Sequence, residues 1–305
     1  MEIKRDVYLN RLIVRKHNGF IKVITGIRRS GKSYLLNTLF YNHLIAENIA
    51  EDHIIKFAFD SADDLLKIGE DPIVLDNERE DRKVDPSKFL NWLQPQIADK
   101  EMHYILLDEV QLLNEFEDVL NSLLHIRNAD VYVTGSNSKF LSSDIITEFR
   151  GRGDEIRVYP LSFREYMSAY NGTRDEAWDD YFNYGGLPLI LSMPTDEDKA
   201  NYLSGLFKKV YISDIVDRHK VRNKDELDEL VDILASATGS LTNPTRLART
   251  FRSVKNKIIS DKTLKTYTDY LIDAFLVSKA VRFDVKGKKY IGSPVKYYFE
   301  DVGLR

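Results

Sequence analysis

A parallel sheet covered by helices on both faces, an α/β fold, follows from three observations on this sequence. Short apolar runs alternate with helical segments from residue 20 to about residue 191. A glycine loop joins the first run to a helix, and a later run ends in two adjacent carboxylates. Strands buried on both faces read as near-continuous apolar runs, and their alternation with helices is the signature of βαβ units. The strands are expected at Phe20–Thr25, His53–Phe59, His103–Leu107, Asp130–Thr134 and Glu155–Tyr159.

The first run leads into Gly26-Ile27-Arg28-Arg29-Ser30-Gly31-Lys32-Ser33, which fits GxxxxGK[ST] at every fixed position, and Tyr34–Phe40 after it reads as a helix. Strand, glycine loop and helix make this a P-loop: backbone N–H groups turn inward and the helix N-terminus adds positive potential, so the segment suits a phosphate chain. Gly26, Arg29, Ser30, Gly31, Lys32, Ser33 and Tyr34 are the expected nucleotide contacts. Lys32 reaches the β- and γ-phosphates, and Ser33 offers its hydroxyl to Mg²⁺.

About 75 residues beyond Ser33, Tyr104-Ile105-Leu106-Leu107 ends in Asp108-Glu109. A central strand delivers carboxylates in this way at its C-terminal edge, where α/β sheets bind ligands. Asp108 is the expected Mg²⁺ partner and Glu109 the group that orients or deprotonates the attacking water. The next strand runs into Gly135-Ser136-Asn137-Ser138, where either Ser136 or Asn137 is a candidate sensor of the γ-phosphate. Phe149-Arg150-Gly151-Arg152-Gly153 precedes the last strand and offers an arginine to the transferring phosphate, in its own subunit or a neighbour's.

Composition agrees. The 305 residues suffice for two domains, and 43% hydrophobic with 30% charged is ordinary for a globular chain. The absence of cysteine excludes disulfides and thiolate metal sites and suits the cytoplasm. No start-up apolar segment or membrane span is visible, so no membrane partner is expected. The net charge of −4 conceals an asymmetry: residues 201–305 carry 20 Lys and Arg against 13 Asp and Glu, leaving residues 1–200 strongly acidic. Between Arg246 and Lys296 the basic residues number 13 and the acidic ones 4. A basic second part points to a polyanionic partner.

The organisation expected is a first domain over 1–191, a helical linker over 192–224 and a third part over 225–305. Acidic residues 76–83 read as an exposed loop or helix start. Ser162 opens a capping box with Glu165, and Gly185-Gly186 stops a helix around Trp178. After Arg222 come helices at Asp225–Thr238, Pro244–Phe251 and Asp261–Phe275, then strands at Val277–Phe283 and Lys296–Phe299 around Lys286-Gly287-Lys288-Lys289. That is the order of a winged helix-turn-helix. Lys262, Lys265 and Thr266 lie on the exposed face of its third helix, and Lys286, Lys288 and Lys289 in the wing; these are the nucleic-acid candidates.

The segments Ile24–Leu36, Leu106–Gln111, Thr134–Asn137, Gly151–Gly153, Pro160–Glu165 and Gly185–Pro188, with Ile259–Tyr267 and Lys296–Arg305 in the tail, resemble a family of bacterial and archaeal AAA-superfamily ATPases. In that family an ATPase domain and a winged helix precede a restriction-endonuclease-like domain of unknown function. The resemblance implies ATP and Mg²⁺ roles for Lys32, Ser33, Asp108 and Glu109, and it favours Arg152 as an arginine finger in a homo-oligomer. The sequence stops at Asp301–Arg305, where the family usually continues into its last domain. The reading that results is a Mg²⁺-dependent ATPase coupled to double-stranded DNA through the basic winged helix. The alternative is a slow ATP-dependent switch whose winged helix binds a protein.

Overall fold

The computed structural model describes residues 3–72, 83–135, 151–282 and 293–305. The five apolar runs become β1 (Ile21–Thr25), β2 (Ile54–Ala58), β3 (His103–Asp108), β4 (Ala129–Thr134) and β5 (Gly153–Arg157). They pair in parallel in the order β2-β3-β4-β1-β5. Burial grades across the sheet as this order requires. β1 and β3 are wholly buried, whereas β2 exposes Lys56 and β5 buries only Ile156 fully, the charged pattern of edge strands.

Alternate residues of the strands feed two separate cores. Val23, Phe57, Ile105, Leu107 and Val133 pack on α3 (Ala62–Lys67), α4 (Pro86–Leu93) and α5 (Phe116–Leu123) through Leu65, Phe89, Leu93 and Leu120. Ile24, Leu106, Tyr132 and Ile156 pack on α1 (Asp6–Val14) and α2 through Leu12, Leu35, Leu36 and Phe40. Helix α2 runs without a break through Lys32–Tyr34, a π-helical turn over Leu35–Phe40, and Tyr41–Ala46. The period-2 pattern of each strand therefore places helices on both faces, as the sequence predicts. Helix α1 was not anticipated, because only Tyr8 and Leu12 in it are buried and the stretch carries little periodicity.

The chain divides into two compact units, one comprising Lys4–Val158 and the other built on Tyr159–Arg305. This differs from the division at 191 and 224 read from the sequence. The physical reason is the packing of α7 (Arg174–Tyr184) against the turn Val302–Leu304, which ties the segment after the sheet to the chain's last residues. Asp301 fastens the joint: its carboxylate accepts the Gly186 N–H at 2.7 Å and the Gly303 N–H at 2.9 Å. Gly185, with φ +80°, must be glycine here, since a Cβ would stand 1.8 Å from Asp301 Oδ1.

The second unit begins with α6 (Phe163–Ala169), entered by the Ser162–Glu165 capping box, and α7, which stops at Gly185. A long helix α8 follows through Asp196–Leu206, Phe207–Ile212 and Ser213–His219. Then come α9 (Lys224–Ser236), α10 (Pro244–Lys255), α11 (Asp261–Asp273) and an antiparallel pair, β6 (Val277–Ala280) with β7 (Lys296–Phe299). Asn243 caps α10, with Pro244 in its first turn, and Ser260 caps α11. Residues 76–82, from the acidic stretch, lie outside the described residues. Among those described, no helix is long and apolar enough to cross a membrane.

Candidate nucleotide site

The site is assembled where the strands end. Register brings Ala58 beside Asp108, Leu107 beside Val133 and Ile24 beside Thr134, so the C-termini of β2, β3, β4 and β1 open onto one crevice. The loop leaves β1 through Gly26 at φ +133°, where a Cβ would lie 2.1 Å from the carbonyl oxygen of Val158; only glycine lets the loop turn this close to the neighbouring strand. Arg29 and Gly31 take left-handed φ values of 65° and 92°. Successive departures of this kind turn amide groups towards one side.

Lys32 folds back into the loop it follows, donating to the carbonyls of Gly26 at 3.0 Å and Ile27 at 3.1 Å. Burial lowers its pKa to about 8; the carboxylates of Glu109 and Asp108 act to raise it, and Arg28 acts with burial. A desolvated ammonium with only neutral carbonyl partners gains strongly from an anion brought beside it. Ser30 is buried, and its Oγ has no hydrogen-bond partner among the described residues. Arg5 was missed by sequence reasoning; its guanidinium donates to the Ser30 carbonyl at 3.1 Å and stacks on Tyr8. An isolated Arg before a weakly patterned helix gives no signal of this role.

Asp108 is the hub. Its Oδ1 accepts from the Ser33 hydroxyl at 3.1 Å and from the Thr134 hydroxyl, and its Oδ2 accepts from Asn37 Nδ2 at 3.1 Å. Asn37 and Thr134 were also missed, although spacing could have found Asn37: it lies one helical turn beyond Ser33, on the same face of α2. Burial raises the Asp108 pKa; the Thr134 and Ser33 hydrogen bonds oppose this, and the charge of Glu109 adds to it. Asp60 is raised by burial and then by the charges of Asp108 and Glu109. Glu109 itself sits at φ 51°, its N–H donating to Thr134 Oγ1 at 3.1 Å and its carboxylate accepting from Gln111 Nε2. A left-handed non-glycine residue at the end of a buried strand is the strain found at functional turns.

These residues fit nucleotide and Mg²⁺. The hydroxyl of Ser33 and a carboxylate oxygen of Asp108 are hard donors 3.1 Å apart, beside an acidic surplus that one divalent cation would offset. Of the sequence-predicted residues, the structure brings together Gly26, Ser30, Gly31, Lys32, Ser33, Asp108 and Glu109. Arg29 is exposed on the loop and Tyr34 half-buried on the first turn of α2. Ser136, Asn137 and Arg150 lie outside the described residues, as do Lys286, Lys288 and Lys289.

Arg152 stands at the opposite end of β1 from the glycine loop. It is exposed, and its carbonyl accepts from Ile21 N–H at 2.9 Å, with Gly153 paired to Ile21 at the start of β1. The loop leaves the other end of that strand, about 13 Å away at ~3.3 Å per residue. The parallel pairing therefore sets Arg152 apart from its own chain's loop. Lys262 and Lys265 are exposed on α11, as expected, and Thr266, half-buried, donates to the Lys262 carbonyl at 3.0 Å.

Strand, glycine loop, helix N-terminus and, one strand further across the sheet, a strand bearing Asp-Glu define a P-loop protein of the ATPase class. Residues 18–167 match the AAA domain family, and residues 175–305 match a domain of unknown function, DUF8612. The chain is 34% identical over 310 residues to an uncharacterized protein of Haemophilus influenzae, a match covering 99% of this chain and 72% of that one. With an uncharacterized protein of Methanocaldococcus jannaschii it shares 26% identity over 302 residues, 94% of this chain and 61% of the relative. Among solved structures, a Walker-type ATPase of Pyrococcus abyssi matches with a TM-score of 0.61 at 14% identity, covering 99% of this chain and 95% of that one, a likeness of fold. The chain belongs to the AAA-type P-loop ATPase family.

Proposed function

We propose that this protein binds ATP and Mg²⁺ at the Gly26–Ser33 loop and hydrolyses ATP to ADP and phosphate. The observation that carries the reading is the convergence of Ser33, Asn37 and Thr134 on buried Asp108, next to a buried lysine that, among the described residues, has no carboxylate partner at hydrogen-bond distance. In it, Lys32 binds the terminal phosphates, Ser33 and Asp108 hold the cation, and Glu109 takes a proton from water. Bound Mg²⁺ would supply charge neutralisation on the phosphates. Gln111 holds the Glu109 carboxylate, so its amide must let go before the base can act, which supports a slow resting rate. Calorimetric titration of the whole chain with MgATP tests the binding half. Wild type should bind in a 1:1 ratio and Lys32→Ala should lose tight binding; equal affinity for the two would refute the site.

The second unit is read as a winged helix that contacts duplex DNA. Supporting this, a groove of about 610 Å³ runs beside α10 and is lined by Asn243, Arg246, Arg249 and Ser253, with Lys262 and Lys265 exposed on α11. Fluorescence anisotropy of a labelled duplex should show weak binding by the whole chain, falling steeply with salt as counterions are released. Absence of binding at low salt would favour the protein-binding switch. Exposed Val254 and Ile258, at 66% and 83%, support that second reading, because apolar side chains beside the basic ones suit a protein surface. Arg152 is assigned to a neighbouring subunit's phosphate, so the rate per subunit should rise with protein concentration. The cytoplasm is the assigned compartment, in keeping with a chain free of cysteine.

A further inference from the structure

At the edge of the sheet where strands begin, His53 and His103 stand side by side. Ile54 pairs with Tyr104, so the residue before each is a cross-strand neighbour, and the two imidazole rings lie 4.7 Å apart between centroids. The turn ahead of β3 adds Asp99. Its Oδ2 lies 3.0 Å from His53 Nε2 and its Oδ1 3.9 Å from His103 Nε2. One donor atom from each of the three residues falls within 4.8 Å of the others. β3 separates this cluster from Asp108 by five residues, about 17 Å at ~3.3 Å each.

We propose that His53, Asp99 and His103 form a binding site for a borderline transition-metal cation, of which Zn²⁺ is the best match. Two imidazoles with one carboxylate suit zinc over Mg²⁺ or Ca²⁺, which take oxygen ligands. The surroundings orient the donors as metal sites do. His103 Nδ1 lies 2.9 Å from the Glu101 carbonyl, so its N–H donates there and the Nε2 lone pair is turned to Asp99. Asn128 donates to the carbonyls of Asp99 at 2.9 Å and Glu101 at 3.0 Å, and the Glu101 N–H binds Asp99 Oδ1 at 2.8 Å, fixing the turn that presents the carboxylate. His103 is buried while Asp99 is half-exposed, which leaves a fourth, solvent-facing position for water. Tetrahedral zinc ligands about 2.0–2.2 Å from the ion stand roughly 3.3–3.6 Å apart, a spacing that the two Asp99–histidine separations of 3.0 and 3.9 Å bracket. A bound ion would clip the starts of β2 and β3 to the turn before β3, independently of nucleotide.

The test uses the full, untagged chain, stripped with chelator and titrated with ZnCl₂ without nucleotide. Wild type should bind zinc in a 1:1 ratio and melt at a higher temperature with it. Asp99→Asn and His53→Gln, both at accessible positions, should each weaken zinc binding at least about tenfold, the loss that removal of even an outer partner brings, and abolish the thermal shift. Asp108→Asn should bind zinc as wild type does, which separates this cluster from the nucleotide site. Failure of wild type to bind zinc, unchanged affinity in both cluster variants, or loss confined to Asp108→Asn would each overturn the proposal.

Discussion

Near the edge where the strands begin, Lys22 and Asp130 meet as a buried ion pair, and Asp130 also accepts the Tyr132 hydroxyl at 2.8 Å and the His17 N–H at 3.0 Å. Where the strands end, Asp108, Glu109 and Asp60 crowd together, and buried Lys32 is held by backbone carbonyls instead. Both regions bury charge. In the first, the protein supplies the counter-charge and the hydrogen bonds, so the network is complete as folded. In the second, burial pushes Asp108 and Asp60 up and Lys32 down, and neighbouring carboxylates add to the rise instead of offsetting it. That imbalance marks the end of the sheet built for a ligand.

The comparison breaks most visibly if the completed network is opened. Lys22→Met strands Asp130 in the core and should cost about 3–5 kcal/mol in urea unfolding, whereas Lys22→Met combined with Asp130→Leu should recover most of it. A single-variant loss within error would mean that the pair contributes no such neutralisation.

Asp301 supplies the next largest effect and carries the same logic into the second unit. Burial raises its pKa to about 6, against the backbone hydrogen bonds from Gly186 and Gly303, which favour the charged form. The folded chain therefore holds a proton that the unfolded chain releases near pH 4. Stability from this group is greatest below about pH 4 and declines as pH rises to about 6, by a few kcal/mol in all. Asp301→Asn should flatten that part of the pH–stability curve, and an unchanged slope would contradict the assignment.

How much of this was legible before the fold was known differs between the two ends of the sheet. Gly26, Lys32, Ser33, Asp108 and Glu109 stand in fixed local spacing beside apolar runs, so sequence carried them. Asn37, Thr134 and Arg5 act through contacts spanning 71, 26 and 25 residues, which appear only in the fold, although helical spacing alone puts Asn37 on the Ser33 face of α2. The parallel pairing of β5 with β1 equally decided the location of Arg152, since nothing local says which end of the sheet its glycine turn occupies. Lys22 within an apolar run carried no sign of its partner Asp130, 108 residues away.

A smaller effect sharpens the ligand-seeking end. Thr134→Val removes a donor to Asp108 and an acceptor for the Glu109 N–H, at a cost of about 1–3 kcal/mol in stability. The same change should lower hydrolysis about tenfold by releasing both carboxylates from register. Smallest in stability is Lys265→Glu, expected within about 0.5 kcal/mol because the side chain is exposed. Its readout is duplex affinity, which should fall with a shallower salt slope if the α11 face meets phosphate.

Glu109 bears the central claim, because it alone distinguishes a site that turns over ATP from one that merely holds it. Phosphate release by purified Glu109→Gln should fall by about 10²–10⁴-fold relative to wild type, while MgATP affinity in the same preparation stays within a few-fold, since the amide keeps the size but cannot take the proton. Hydrolysis at the wild-type rate in that variant would contradict the account.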